Sequence, residues 1–230
     1  MTLDLPLYEY TPLSLESEIR ILVLEPTADF SDPLEATMIH EDLGTTQERT
    51  DDETEPRPLP HYEAVSYVWG EADFTYRLVC DGRLLKITRV VDTLLRYLRS
   101  NRKKKRLWID ALCIDQASEA DKTHQIPRMG QIFGYAWKVR AWLGGAKEDD
   151  GVPLVFDFIR KIGGQERRED HERGSEIVLT PALARMVVQF FMRPWFFRRL
   201  VLQERALSRV LIIHCGENKI PCAWVSTALE

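Results

Sequence analysis

The sequence predicts an α/β fold, a mostly parallel sheet flanked by helices with an added hairpin and helical elaborations. Three observations carry that expectation. Short β-branched or aromatic runs alternate with helical stripes between residues 62 and 143. Alternation of this kind is the pattern of parallel strands joined by helices. An Asp-Gly pair sits between two apolar runs, which marks a tight hairpin. The chain has 230 residues, 44% of them hydrophobic, enough for one domain with a sizeable core.

Taken in order, Ile19 to Leu24 reads as a short strand. Residues 27–60 read as an acidic, proline-bearing loop insertion, with Asp51-Asp52-Glu53-Thr54-Glu55-Pro56 at its charged centre. Tyr62 to Trp69 is aromatic and β-branched and stops at Gly70, a strand with a definite end. Leu78-Val79-Cys80 and Leu84-Leu85-Lys86-Ile87 flank Asp81-Gly82. Thr88 can cap the next helix, whose stripe is Val90, Val91, Leu94, Leu95 and Leu98.

Leu107 to Leu112 reads as a second strand with Asp110 inside it, and Val139 to Leu143 as a third, closed by Gly144-Gly145. Between them, Ile126, Met129, Ile132, Phe133 and Ala136 mark a helix over about 122–137, with Pro127 near its start. Helical patterns follow at 153–162 and 181–192, with a charged loop at 163–176. Val210 to His214 is a further strand, and Trp224 opens a helix interrupted by the end of the chain at Glu230.

Composition excludes several classes. The net charge of -5 argues against a general nucleic-acid binder. The basic run Arg102 to Arg106 reads as a solvated helix end and turn. Cys80, Cys113, Cys215 and Cys222 form no Cys-x-x-Cys pair, so reduced thiols in a cytoplasmic protein are expected, with no metal. No signal peptide and no membrane span is expected. Neither a Gly-x-Gly-x-x-Gly loop nor a Walker A loop is present, and Gly-x-Ser-x-Gly and His-Glu-x-x-His are absent.

Three segments carry candidate chemistry: Ser66-Tyr67-Val68-Trp69-Gly70, then Asp110 to Gln116, then Arg193-Pro194-Trp195-Phe196-Phe197-Arg198-Arg199 running on to Gln203-Glu204-Arg205. If the first two strands are parallel, their C-terminal ends share one rim, the place where open α/β sheets bind ligands. Tyr67, Trp69, Asp115 and Gln116 then line one cleft suited to stacking a ring and hydrogen-bonding a sugar. The same residues also allow structural roles. Tyr67 and Trp69 sit at alternate positions and can share a core face. Asp110 can cap a helix or bond a loop amide. Glu204 lies among Arg198, Arg199 and Arg205 and can be an ion-pair residue.

These segments resemble the heterokaryon incompatibility (HET) domain. Tyr62 to Gly70 looks like its opening motif and Leu107 to Gln116 its central one. Gln125-Ile126-x-x-Met129-x-x-Ile132-Phe133-x-x-Ala136 and Val139-x-Ala141-Trp142-Leu143-Gly144 continue the match. Arg193-Pro194-Trp195-Phe196-x-Arg198-Arg199-x-x-x-Gln203-Glu204 resembles the closing motif, except that Leu200 stands where the motif usually has Trp.

The resemblance implies one HET domain over 1–230, with its core motifs at 62–204, acting in fungal nonself recognition and programmed cell death. HET domains have been likened to Toll/interleukin-receptor (TIR) domains, some of which cleave NAD at the nicotinamide–ribose bond. That likeness implies a TIR-like core and makes Glu204 the catalytic candidate. Ser66, Tyr67, Trp69, Gly70, Asp115 and Gln116 are then substrate-binding candidates, and Asp110, Arg198 and Trp195 support the site. NAD would be a substrate, with no cofactor. The alternative is a non-catalytic module that self-associates and answers to an upstream receptor or regulatory domain.

Overall fold

The computed structural model describes residues 5–43, 61–146, 150–165, 179–198 and 204–227. Among these residues nine strands form a single sheet in the order β5-β4-β2-β1-β6-β3-β7-β8-β9. They are β1 (Glu18–Leu24), β2 (Glu35–Asp42), β3 (Glu63–Tyr67), β4 (Tyr76–Cys80), β5 (Arg83–Ile87), β6 (Lys105–Trp108), β7 (Lys138–Trp142), β8 (Leu211–Cys215) and β9 (Asn218–Pro221). The helices are α1 (Arg89–Leu98), α2 (Asp110–Cys113), α3 (Glu119–Gln125), α4 (Met129–Tyr135), α5 (Val152–Gln165), α6 (Pro181–Phe191) and α7 (Cys222–Thr227).

The sheet is mixed, which corrects the expectation of a mostly parallel one. Strands β6, β3, β7 and β8 run parallel to one another, and β2 pairs parallel with β4. The longest ladder is antiparallel, between β1 and β2, and β1 also meets β6 antiparallel. Hairpins β4–β5 and β8–β9 add antiparallel edges. The three strands read from the aromatic and apolar runs do lie in one sheet and run parallel, with β3 between β6 and β7.

Local chemistry explains most elements. In the β4–β5 turn Asp81 and Gly82 both take positive φ, 51° and 70°, as a type I′ turn requires. The Thr88 hydroxyl accepts from the Val91 amide at 3.4 Å and caps α1, whose Val91, Leu94, Leu95 and Leu98 are buried. Gly70 ends the β3 segment with φ +71°, and a Cβ there would meet Val90 Cγ2 at 2.8 Å.

Several boundaries differ from the sequence reading. Residues 27–60 are not one loop, because Glu35–Asp42 forms β2 along the whole of β1. The acidic centre of that stretch lies outside the described residues. Leu107 to Leu112 is not one strand either: β6 ends at Trp108, and Asp110 opens α2. The helix expected over 122–137 is divided by a 3₁₀ turn at Ile126–Arg128 that holds Pro127, so α3 and α4 are separate. Proline lacks the amide that a continuous helix needs there. The loop expected at 163–176 begins later, since α5 runs to Gln165.

Arg20 ties these parts together from inside β1. It is buried, and its guanidinium donates to the Thr11 and Cys113 carbonyls and pairs with Asp121 at 2.8 Å. That pair holds α3 against β1, and Asp121 also accepts from the Asp115 amide at 2.6 Å, which fixes the loop after α2. Among the described residues no helix is long and apolar enough to cross a membrane.

Candidate functional site

Because β6 and β3 are parallel, their C-terminal ends open on one rim. Ser66 and Tyr67 end β3, and Asp110 lies two residues beyond β6. The 3₁₀ turn Pro194–Phe197 and the helical turn at 204–207 bring Trp195, Arg198 and Glu204 to the same place. The three motif segments therefore meet.

Ser66 is the hub. Its side chain is buried, and its hydroxyl donates to the Glu204 carboxylate. It accepts from Trp195 Nε1 at 2.8 Å and from Arg198 at 3.4 Å. A hydroxyl has one donor and two acceptor positions, so Ser66 is saturated within the protein. It holds the site together and has no capacity left for a substrate.

Glu204 is 3% exposed. Burial pushes its carboxyl above the usual range; the Ser66 hydrogen bond and the Arg198 charge oppose that rise, and Asp110 adds to it. Arg198 lies 3.9 Å from the second carboxylate oxygen, a loose ion pair.

Asp110 accepts from Trp69 Nε1 at 2.8 Å and from the Ala111 amide at 2.8 Å. Burial pushes it above the usual carboxylate range, against the Trp69 and Ala111 bonds and then the Arg198 charge. Of the structural roles open to Asp110, the cap of α2 falls to Ile109, and Asp110 instead bonds the adjacent Ala111 amide. It opens α2, and it fixes the half-exposed Trp69 ring at the rim.

Tyr67 is buried, and its phenol is pushed up first by burial and then by Asp110. Its hydroxyl lies beside the Asp110 carboxylate, which also raises the phenol by hydrogen bonding, although the two do not reach ideal hydrogen-bond geometry.

The remaining candidates are placed differently. Gln116 turns its amide back to the carbonyls of Asp110 and Ile114 and so braces the loop. Asp115 accepts from the Ala117 amide at 3.0 Å as a local turn residue, and no described contact joins it to Glu204. Gly70 shapes the chain reversal. Arg199, Leu200 and Gln203 lie outside the described residues. The Arg20–Asp121 pair was missed in the sequence; its only signal was a lone arginine inside the apolar run Ile19 to Leu24.

Comparison with known proteins agrees with the motifs. The sequence model of the family described as "Heterokaryon incompatibility protein (HET)" matches residues 62–204. The chain is 26% identical over 268 aligned positions to "Heterokaryon incompatibility protein 6, OR allele" of Neurospora crassa. That alignment covers 97% of this chain but 37% of the relative, so the chain spans well under half of that protein. No solved structure matches. The family match covers more than half of the chain and takes in every residue of the Ser66–Glu204 cluster: this protein belongs to the HET family.

Proposed function

We propose that this domain acts in fungal nonself recognition and cell death, and that it does so by cleaving NAD at the nicotinamide–ribose bond. Family membership supports the first part. One observation carries the second: three separated motifs converge on a buried carboxylate, Glu204, at the sheet rim.

In this reading the C1′–N bond breaks heterolytically and its electron pair neutralises the pyridinium ring. Nicotinamide leaves as a neutral molecule, so no general acid is required. The ionised Glu204 carboxylate stabilises the oxocarbenium-like ribose by charge and by a hydrogen bond to its hydroxyls. Water adds to C1′ and loses its proton to the carboxylate and then to solvent, giving ADP-ribose. Trp69, held by Asp110, offers a stacking face.

The test is nicotinamide release by the purified chain incubated with NAD, with and without crowding or forced oligomerisation. Glu204→Gln should fold and lose on the order of 10²–10³ in rate, the usual cost of removing a preorganised charge. A folded Glu204→Gln protein at full rate sinks the reading, as does a wild-type protein with no release under any of these conditions.

A second reading is a non-catalytic module that self-associates. It is favoured by exposed apolar side chains on and beside α6: Leu179, Val188, Met192 and Phe197. Concentration-dependent assembly lost in Met192→Glu, with no NAD turnover, is the result that selects it.

A further inference from the structure

The opposite rim of the same strands holds a cavity. Glu63 starts β3, Lys105 starts β6 and Lys138 starts β7. Beside them lies a cavity of about 230 Å³, lined by His61, Trp137, Glu63 and the run Lys103 to Arg106. The four residue steps along β3 from Glu63 to Tyr67 put it roughly 13 Å from the Ser66 rim, too far for one small ligand to serve both.

Its charge runs against that of the chain. The protein carries a net -5. Around this cavity Lys103, Lys104, Lys105, Arg106, Lys138 and Arg140 face the carboxylates of Glu25, Glu41 and Glu63. Glu63 alone is divided among Arg140 at 2.7 Å and Lys105 and Lys138 at 3.9 Å each. Lys103 is exposed and has no ion pair among the described residues. Burial, then the nearby Arg140, Lys138 and Lys219 charges, hold Lys105 below the usual lysine range despite Glu63. An anion would relieve that repulsion. The remaining wall is aromatic. Trp137 is 48% exposed, unusual for so large an apolar ring, and its other neighbour is His61 at 5.7 Å between ring centroids.

We propose that this cavity is a second ligand site that takes a nucleoside phosphate, with the base stacked on Trp137 and the phosphates held by Lys103, Lys104 and Lys105. The volume holds the phosphates and sugar and leaves the base at the mouth, where the ring is exposed. Small size and an acidic chain favour a mononucleotide over a long polyanion, whose extra phosphates would meet net negative charge. The proposal stands apart from NAD cleavage at Glu204.

Calorimetric titration of the intact 230-residue chain with ADP at low salt is the experiment, with adenosine and inorganic phosphate as separate titrants. ADP should bind saturably and weaken as salt rises. Adenosine and inorganic phosphate should each bind at least about tenfold more weakly, since each lacks one half of the recognition. Trp137→Leu should lower ADP affinity by a similar factor and leave phosphate affinity alone. The exposed pair Lys103→Gln/Lys104→Gln should weaken both. Melting curves show whether each variant is folded. No saturation by about 5 mM, a dissociation constant too weak for a built site, overturns the proposal. Phosphate binding as tightly as ADP overturns the nucleoside part. ADP affinity unchanged in both Trp137→Leu and the lysine pair assigns the nucleotide elsewhere and also overturns it.

Discussion

Replacing Ser66 with alanine tests whether the hydroxyl at the centre of the site is structural. The substitution removes one hydroxyl from a buried position and strands two partners. The Trp195 indole N–H, on a residue 3% exposed, loses its 2.8 Å acceptor. An unsatisfied buried donor costs about 1–3 kcal/mol. Glu204 loses its O–H donor and keeps only the 3.9 Å pair with Arg198. Together these place the loss near 2–4 kcal/mol, about 5–15 °C in melting temperature for a chain of this length. Trp195→Phe removes the indole donor instead, so in the double variant no N–H is stranded. Urea denaturation of the two single variants and the double should therefore show less than the summed loss, by at least about 1 kcal/mol. A Ser66→Ala protein within about 0.5 kcal/mol of wild type, or strictly additive losses, would refute the hub described above.

Other outcomes follow from single contacts. His214 is drawn down to about 3, first by burial and then by Arg140, Lys219 and Lys105, and its Nε2 accepts from Arg140 at 2.8 Å. The unfolded chain takes up that proton near pH 6.5 and the folded one does not, so stability should fall as pH drops from about 6.5 toward 3, by roughly 1 kcal/mol between pH 7 and 5.5; a His214→Gln variant whose acid sensitivity over that window equals wild type would contradict this. Gly70→Ala and Gly82→Ala both force alanine to φ near +70°, which costs about 1–2 kcal/mol. Only Gly70 also meets a side chain, Val90 at 2.8 Å, so its variant should be the less stable by urea denaturation. Trp69 Nε1 and the Ala111 amide bond to different oxygens of Asp110, so Asp110→Asn keeps one acceptor and turns its NH2 on the other donor; it should lose about 1–3 kcal/mol by urea denaturation as well as nicotinamide release, and an unchanged rate would place Asp110 outside the chemistry.

The elements legible in the sequence were those whose cause is local. The Asp81-Gly82 turn and the Thr88 cap are decided within four residues, and both stand as read. Strand β2 is decided elsewhere. Glu35–Asp42 contains Glu35, Glu41 and Asp42 and looks like loop, yet it pairs with β1 along its length and with β4 at one end. Nothing within those eight residues signals the partner. Asp110 was placed in a strand because Leu107 to Leu112 is an apolar run too short for periodicity to separate strand from helix. At the site, the convergence of Ser66, Trp195 and Glu204 was legible only through the motifs, since 138 positions separate Ser66 from Glu204. The saturation of Ser66 was not legible at all, because it depends on the Trp195 indole arriving from the far side.

That saturation bears on the proposed chemistry. Glu204 presents two oxygens to the site. Ser66 fixes Oε2, while Oε1 makes no hydrogen bond among the described residues and faces Arg198 across 3.9 Å. A carboxylate held at one oxygen and open at the other suits an electrostatic stabiliser that accepts from a ribose hydroxyl. It suits a nucleophile less well, since the buried, hydrogen-bonded group cannot swing toward C1′. Arg198 then has a defined part. Its side chain is 23% exposed, which leaves it room to turn toward an incoming diphosphate. With its charge engaged there, Arg198 holds Glu204 less, and the cationic sugar takes over as the charge that keeps the buried carboxylate ionised. Substrate binding and activation of Glu204 are then one movement. Substrates shortened by removing the diphosphate should lose rate as well as affinity, because the binding energy of that group frees the catalytic charge. A nicotinamide riboside that saturates weakly yet turns over as fast as NAD would show that Arg198 has no such part.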